Sequence, residues 1–212
     1  MARYALTALV ATLATLTACN GSVNGPVTVG AGQKADDLST VNGPISIEAG
    51  ATVGGAMTVN GAISLGAKAT AQSAKTVNGD VTLGEASRVT GNVITVNGPV
   101  NLQSNSDVVG KITNVNGDIR LTTAHVGGGI TTINGDIDIG SGSHVDGGIH
   151  VDKPTISSDS HPRVPRVVIG PNAMVNGPLH FEHEVKLFIS DSAQVSGPIE
   201  GATAEKFSGE KP

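Results

Sequence analysis

Aspartate recurs at one fixed place in the sequence, directly after a Val-Asn-Gly phrase. It fills that place at Asp80, Asp118 and Asp136, with Asp138 and Asp146 nearby. Carboxylate oxygens are the ligands that Ca²⁺ prefers, so stacked aspartates can hold calcium or form an acid cluster for polysaccharide cleavage. Proline fills the same place at Pro26, Pro44, Pro99 and Pro178. The aspartates are therefore interpreted as solvated turn residues, and no metal site is predicted.

Histidine is the second residue type with possible chemistry. The six histidines are His125, His144, His150, His161, His180 and His183. The segment from His180 to His183 lacks the His-Glu-x-x-His spacing of a zinc protease, and the histidines are interpreted as surface residues. The sequence also contains no Gly-x-Ser-x-Gly phrase, phosphate-binding loop or pair of cysteines. It predicts neither a catalytic residue nor a cofactor.

Threonine precedes the Val-Asn-Gly or Ile-Asn-Gly phrase in five repeats. The residues are Thr40, Thr58, Thr76, Thr95 and Thr132, and Asn114 interrupts the series. A flat column of hydroxyl groups can bind ice or a crystalline polymer. Threonine also packs well on a pleated strand, which is the competing interpretation.

The elements that position these residues follow from the repeat itself. The phrase recurs every 18 or 19 residues from Val23 to Ile133, and a fixed period of about 20 residues indicates copies of one unit stacked on each other. Apolar residues also fall every six positions, and short alternating segments such as Ile45-Ser46-Ile47 are typical of strands. The sequence predicts an all-β, three-sided parallel β-solenoid with one strand per side and about 18 residues per coil.

The asparagines of the phrase should form a column at one corner of the solenoid. They are Asn24, Asn42, Asn60, Asn78, Asn97, Asn116, Asn134 and, after a gap, Asn176. Asparagine and glycine tolerate positive φ, so each pair can turn a corner. Amides that point inward would form a hydrogen-bonded ladder along the stack. Alternatively, each asparagine serves its own corner alone.

The first residues carry an export signal. Arg3 precedes an apolar run of about 15 residues, a length typical of a signal peptide and short for a membrane span. The run ends in Leu16-Thr17-Ala18-Cys19, which resembles the lipobox of bacterial lipoproteins. This resemblance implies a signal peptide at 1–18, a lipidated N-terminus at 19–22 and a membrane anchor on Cys19. Because Asn20 replaces the aspartate that retains such proteins at the inner membrane, it implies an outer-membrane lipoprotein facing the periplasm.

The remaining chain divides into a solenoid body at 23–151, an inserted loop at 152–166, terminal coils with a cap at 167–200 and a polar tail at 201–212. All aromatic residues beyond the signal are phenylalanines after residue 180. A hydrophobic cap is predicted at Phe181, Leu187, Phe188 and Ile189. The competing interpretation makes Phe188 an end-to-end contact between molecules.

A second phrase, Val-x-Gly-x-apolar, occurs in the other half of each repeat, as in Val53-Gly54-Gly55-Ala56-Met57. Together with the segment from Ile169 to Val175, it resembles the repeats of the bactofilins, a family of polymer-forming β-helix proteins. The resemblance covers about residues 23 to 200 and implies a right-handed helix that joins end to end. A left-handed helix of the hexapeptide acyltransferase type is the alternative fold.

These features predict a lipid-anchored, non-enzymatic scaffold or interaction surface of the cell envelope that can self-associate or bind an envelope protein or polysaccharide. Removing Arg3 from the 13 basic residues leaves 12 against 18 acidic ones, which argues against nucleic acid as a partner. The alternative from another class is a carbohydrate-binding or carbohydrate-active β-helix.

Overall fold

The computed structural model describes residues 21–154 and 163–212, and every regular element within these ranges is a β-strand. The predicted signal at 1–18, Cys19 and most of the predicted insertion lie outside the described residues. Within them, no helix is long and apolar enough to cross a membrane.

The strands form three parallel ladders, and each coil supplies up to one strand to each ladder. The first ladder contains ten strands: β2 (Val27–Val29), β5 (Ile45–Ile47), β7 (Ile63–Leu65), β9 (Val81–Leu83), β12 (Val100–Leu102), β15 (Ile119–Leu121), β18 (Ile137–Ile139), β21 (Arg166–Ile169), β24 (Lys186–Ser190) and β27 (Ala204–Phe207).

The second ladder contains β3 (Lys34–Ala35), β10 (Arg88–Val89), β13 (Asp107–Val108), β16 (His125–Val126), β19 (His144–Val145), β22 (Met174–Val175) and β25 (Gln194–Val195). The third contains β1 (Gly21–Asn24), β4 (Leu38–Asn42), β11 (Val93–Ile94), β14 (Ile112–Thr113), β17 (Ile130–Thr132), β20 (Ile149–Val151), β23 (Leu179–Phe181) and β26 (Ile199–Glu200). Two longer strands, β6 (Thr52–Asn60) and β8 (Thr70–Lys75), run through both ladders and join them into one sheet.

Residues one coil apart lie side by side, so the solenoid has a narrow core of stacked aliphatic side chains. In the first ladder, Ile45 pairs with Ile63 and Ile63 with Val81, and all three are fully buried. The middle residue of each of these three-residue strands, such as Ser64 in β7 or Thr82 in β9, faces outward because side chains alternate along a strand. The predicted all-β parallel solenoid with about 18 residues per coil is confirmed. Its right-handed sense stays a prediction.

The threonines before the Asn-Gly corner point into this core and not into solvent. Thr58 and Thr76 are at most 1% exposed, and their hydroxyl groups donate to the carbonyl oxygens of Gly43 (3.0 Å) and Gly61 (2.9 Å) in the preceding coil. Thr40 and Thr95 make the same bond. The column therefore pairs with backbone carbonyls of the Asn-Gly corner, and the burial of the threonines rules out a hydroxyl array on the surface.

Asn114 takes the place of threonine in this column without breaking its chemistry. Its amide nitrogen donates to the carbonyl of Gly98, as a threonine hydroxyl would, and also to that of Gly117 at 2.6 Å. The Gly117 carbonyl is the one that Thr132 would use by the same pattern. The Thr132 hydroxyl is buried without a hydrogen-bond partner, which is a local cost of the asparagine below it.

Positive φ occurs at some glycines of the Asn-Gly corner, not at its asparagines, and also at a second corner. None of the asparagines in the Val-Asn-Gly phrases before residue 140 is among the described residues with positive φ. A column of left-handed residues with φ between 47° and 69° follows the first-ladder strands: Gly32, Gly50, Lys68, Ala86, Asn105, Thr123, Gly142 and Asn172. In the Asn-Gly pairs, Gly25, Gly98 and Gly117 have positive φ between 143° and 149°, so the positive φ expected of the pair is found at glycine and not at asparagine.

The C-terminal end also differs from the prediction. The segment assigned to a polar tail contains β27, whose Ala204 pairs with Leu187, so it covers the strand predicted as the cap. Phe181, Leu187 and Ile189 are buried inside the stack. Phe188 faces outward, half-buried, with the Arg166 guanidinium 5.0 Å from its ring centroid.

The last coil does not close the core completely. Ile199 in β26 is 38% exposed, and an open cavity of about 500 Å³ is lined by apolar groups that include Ile189, Val195 and Ala204. Among the described strands, β25, β26 and β27 each pair on one side only. The end of the rod therefore keeps both exposed apolar surface and free strand edges.

The left-handed column generates a stability prediction. A residue with a β-carbon in this conformation costs roughly 1–2 kcal/mol, which glycine avoids. Ala86→Gly, at φ 54°, should therefore raise the unfolding free energy or leave it unchanged. Ala67→Gly is the matched control, because Ala67 lies in the equivalent turn one coil earlier without positive φ. It should lower the unfolding free energy by about 0.5–1 kcal/mol. Equal losses in chemical denaturation would contradict this assignment.

Candidate functional site

The asparagines form a ladder on the outside of the solenoid. The side-chain nitrogen of Asn42 donates to the side-chain oxygen of Asn24 at 2.8 Å, and the same bond repeats along the column at 2.8 to 3.0 Å. The members are Asn24, Asn42, Asn60, Asn78, Asn97, Asn116 and Asn134. All are exposed except Asn134, which is half-buried. The amides therefore run along the stack as predicted, but they face solvent and not the core.

Asn176 does not belong to this ladder. The strand containing Val175 pairs with the strand containing Val145, so Asn176 lies next to Asp146 at the corner between the second and third ladders. Its amide nitrogen lies 3.1 Å from an Asp146 oxygen and 3.0 Å from His144 Nε2. The prediction for Asn176 is wrong because Val-x-Gly occurs at both corners, and the three letters alone do not distinguish them.

Asn176 instead joins a network of charged side chains on the second ladder. His125 Nδ1 lies 2.7 Å from Asp107, whose other oxygen pairs with Arg88 at 2.5 Å. His125 Nε2 lies 3.0 Å from Asp146, and His144 Nε2 lies 2.7 Å from the other Asp146 oxygen. The network spans consecutive coils because Arg88, Asp107, His125 and His144 occupy the same position in four stacked strands.

The network shifts the pKa values of two of its members. Partial burial lowers the pKa of His125, but hydrogen bonds to Asp146 and Asp107 outweigh it and raise the pKa above its ordinary value of 6.5. Hydrogen bonds from His125, Asn176 and His144 lower the pKa of Asp146 to about 2. The arrangement therefore favours a protonated His125 held between two carboxylates.

A second cluster lies on the third ladder, where His150 and His180 pair across adjacent strands. Their rings stack with centroids 4.8 Å apart and planes 6° from parallel. His150 Nε2 lies 2.6 Å from Asp152 and 3.8 Å from Glu182, and His180 Nδ1 lies 2.8 Å from Glu200. Five groups capable of binding a cation therefore converge on one patch.

Two of the aspartates considered for calcium, Asp118 and Asp136, are engaged by arginine. Arg163 lies 2.6 Å from Asp136 and 3.9 Å from Asp118, and Arg120 lies 2.5 Å from Asp118. The backbone amide of Arg166 also donates to Asp136 at 2.9 Å. Arginine would therefore compete with a calcium ion for these two carboxylates.

Neither histidine cluster was predicted from the sequence. The structure does not describe His161. His150 and His180 are 30 residues apart, because the residues between Val151 and Arg166 lengthen that coil. The signal that identifies the pair is the repeat itself: Ile149-His150-Val151 aligns with Leu179-His180-Phe181 once the extra residues are removed. His125 and His144 are 19 residues apart, which is one coil.

The chain was compared with protein-family models, curated proteins and solved structures, and none of them gave a match. The family therefore stays a prediction from short repeat phrases, whereas the parallel β-solenoid of about ten turns is shown by the coordinates.

The charged network predicts a pH-dependent contribution to stability. The raised pKa of His125 contributes stability that is fully present below pH 6.5 and is lost as the pH rises through the folded-state value. The lowered pKa of Asp146 contributes above about pH 3.8 and is lost as the pH falls towards 2. His125→Asn should therefore destabilise the protein more at about pH 5.5 than at about pH 9.

The measurement is urea unfolding of the parent and His125→Asn at both pH values. Asp146→Asn alone and in combination with His125→Asn provides the control, since the pH-dependent loss should be smaller when the partner carboxylate is already absent. A loss of stability that is the same at both pH values would contradict the role of the protonated ring.

Proposed function

We propose that the protein is a lipid-anchored, non-enzymatic scaffold of the bacterial cell envelope. The observation that carries the proposal is the position of the first strand. Strand β1 begins at Gly21, two residues after the lipobox cysteine Cys19, and already pairs with the next coil. Lipidation of Cys19 would therefore place the rigid stack directly against the membrane, without a flexible linker.

The length of the stack supports a role as a spacer or platform. The first ladder has ten strands, and parallel strands stack about 4.8 Å apart, so the rod is roughly 40–45 Å long. Such a rod holds its last coil far from the lipid while its side faces present columns of polar groups. In this proposal the protein is exported, resides in the outer membrane and faces the periplasm.

The far end of the rod supports self-association as part of this role. Ile199 is exposed there, beside an apolar cavity and three strands with free edges. A second copy, or an envelope protein or polysaccharide, would cover these groups. Burial of apolar area and pairing of strand edges both favour contact at this end.

The carbohydrate-active alternative has some support in the second ladder, where acidic and basic side chains line up along one side. However, Asp107 and Asp146 are held by His125, and Asp107 also pairs with Arg88. A pair of carboxylates for glycosidic cleavage needs one acid with a raised pKa and one free base. The scaffold is therefore the function that the geometry supports best.

The anchor is tested by Cys19→Ser in the full chain. The variant should be exported but should leave the membrane fraction, because the acyl chains have no thiol to attach to. Thr17→Ser is a control that keeps the cysteine and the small residues before it. The readouts are fractionation and mass spectrometry of the N-terminal peptide. The anchor proposal would be contradicted if Cys19 of the parent is unmodified, or if parent and variant are equally abundant in the membrane fraction.

The association surface is tested by Ile199→Asp in the Cys19→Ser background. A charge at this position should reduce association measured by sedimentation velocity and negative-stain microscopy. Val109→Asp is the matched control, since Val109 is 41% exposed but lies on the side of the rod, against 38% for Ile199 at its end. Reduced association in both variants, or in neither, would contradict the assignment to the far end.

A further inference from the structure

We propose that His150, His180 and Glu182 form a binding site for a divalent transition metal ion, with zinc as the ion that best matches the ligand set. The candidate ligand atoms of these three residues all lie within 4.8 Å of one another. Imidazole nitrogen and carboxylate oxygen are common zinc ligands in proteins. This inference does not depend on the proposed scaffold role or on the lipid anchor.

The two histidines are placed by the fold and not by a flexible loop. Ile149 and Val151 are buried on either side of His150, and Leu179 and Phe181 are buried on either side of His180. Each imidazole is therefore directed outward from a rigid strand, at matching positions of adjacent coils. The spacing of the strands fixes the distance between the two rings.

Glu182 is held in a position from which it can bind. The backbone amide of Lys153 donates to one of its carboxylate oxygens at 3.1 Å, and the other oxygen faces His150 at 3.8 Å. The Lys153 amide thus orients the carboxylate and leaves one oxygen available.

The distances suit a single ion after small side-chain rotations. Zinc lies about 2.0–2.1 Å from each ligand, so the ligands of a tetrahedral ion are roughly 3.3 Å apart. His150 Nε2 and Glu182 are 3.8 Å apart, close to that separation. The side chains of His150, His180 and Glu182 are 37%, 39% and 45% exposed, so they have room to turn and an ion can reach them.

The surrounding charge favours a cation. Asp152 and Glu200 contact the two histidines at 2.6 Å and 2.8 Å. Glu200 contacts His180 Nδ1 and can orient that ring with Nε2 left for the ion. Asp152 contacts the same His150 nitrogen that faces Glu182, so it is placed to supply a fourth ligand. Within the described part of these strands and of the segment after β20, the basic residue nearest to His150 in sequence is Lys153. Three carboxylates thus surround two imidazoles.

The metal would join the two sides of the long coil. His150 lies just before the segment that lengthens this coil, and His180 and Glu182 lie in the next coil, after that segment. A shared ion would therefore fasten the strands on either side of it. Binding to the folded protein alone would also raise its melting temperature.

The test uses the full chain with Cys19→Ser and without a histidine tag, so that neither a thiol nor a tag competes for the ion. Zinc chloride is titrated by calorimetry, and cobalt chloride is used for its visible absorption. We expect one bound ion per chain, cobalt bands typical of four-coordinate nitrogen and oxygen ligands, and a higher melting temperature with zinc.

The variants separate this site from the other histidines. His150→Ala and His180→Ala should each weaken zinc binding by at least about tenfold, since loss of an orienting partner alone costs about 10–100-fold. Glu182→Gln, which keeps the size and the bond from Lys153, should also weaken binding. His144→Ala removes a histidine from the separate network and should leave the affinity unchanged.

Circular dichroism and melting without metal check that each variant is folded. Glu182→Gln is an exposed, isosteric change that keeps the assay decisive if an alanine variant fails to fold. Absence of saturable zinc binding to the parent would overturn the proposal. Binding that survives both His180→Ala and Glu182→Gln, or that is lost in His144→Ala, would also overturn it.

Discussion

Successive coils approach each other so closely at the Asn-Gly corner that no side chain fits between them. A β-carbon on Gly61 would overlap the carbonyl oxygen of Gly43 in the preceding coil, and the same holds for Gly79 against Gly61. This close approach turns the glycine carbonyl towards the threonine column, where a buried hydroxyl group of the next coil donates to it. On the outer side, it brings successive asparagine amides to 2.8–3.0 Å. The repeated Thr-Val-Asn-Gly phrase thus supplies the residues that make this contact between coils.

The sequence was sufficient to predict the fold because the repeat of 18 or 19 residues and the alternation of apolar residues are both visible in it. It was not sufficient to predict the left-handed turns, since Lys68, Ala86 and Thr123 occupy them without any preference for positive φ. These turns are fixed by the hydrogen bonds between coils, which override the local propensity. The last strand was missed for a related reason: Ala204–Phe207 is half exposed because nothing described lies above it, so its composition resembles a tail.

The candidate sites were harder to predict because they depend on which residue of one coil lies beside which residue of the next. A solenoid brings residues one coil apart into contact, so Asp107 and His125 can be paired by counting 18 residues. The extra residues before Arg166 break this count, and they hid the contact of His150 with His180 and moved Asn176 to the wrong corner in the prediction. Once the strand register is known, the outward columns of the second and third ladders become two separate clusters of histidine and carboxylate.

The histidines of these clusters all follow β15, the sixth of the ten strands of the first ladder. In the proposed role, the first coils meet the membrane, the middle coils serve as a spacer, and the last coils carry the histidine clusters and the open apolar end. The Thr-Gly contact joins the coils inside the stack, and the outward asparagine ladder and charged network add further bonds between coils.

The claim that buried hydroxyl groups secure the coils is tested most directly by comparing Thr76→Val with Thr132→Val. Both threonines are fully buried in the same column, but the Thr76 hydroxyl donates to Gly61 at 2.9 Å and the Thr132 hydroxyl has no partner. In chemical denaturation, Thr76→Val should lower the unfolding free energy by about 0.5–1.5 kcal/mol, because it removes a hydrogen bond to a partly buried carbonyl. Thr132→Val should leave it unchanged or raise it. Equal losses for the two variants would contradict the account.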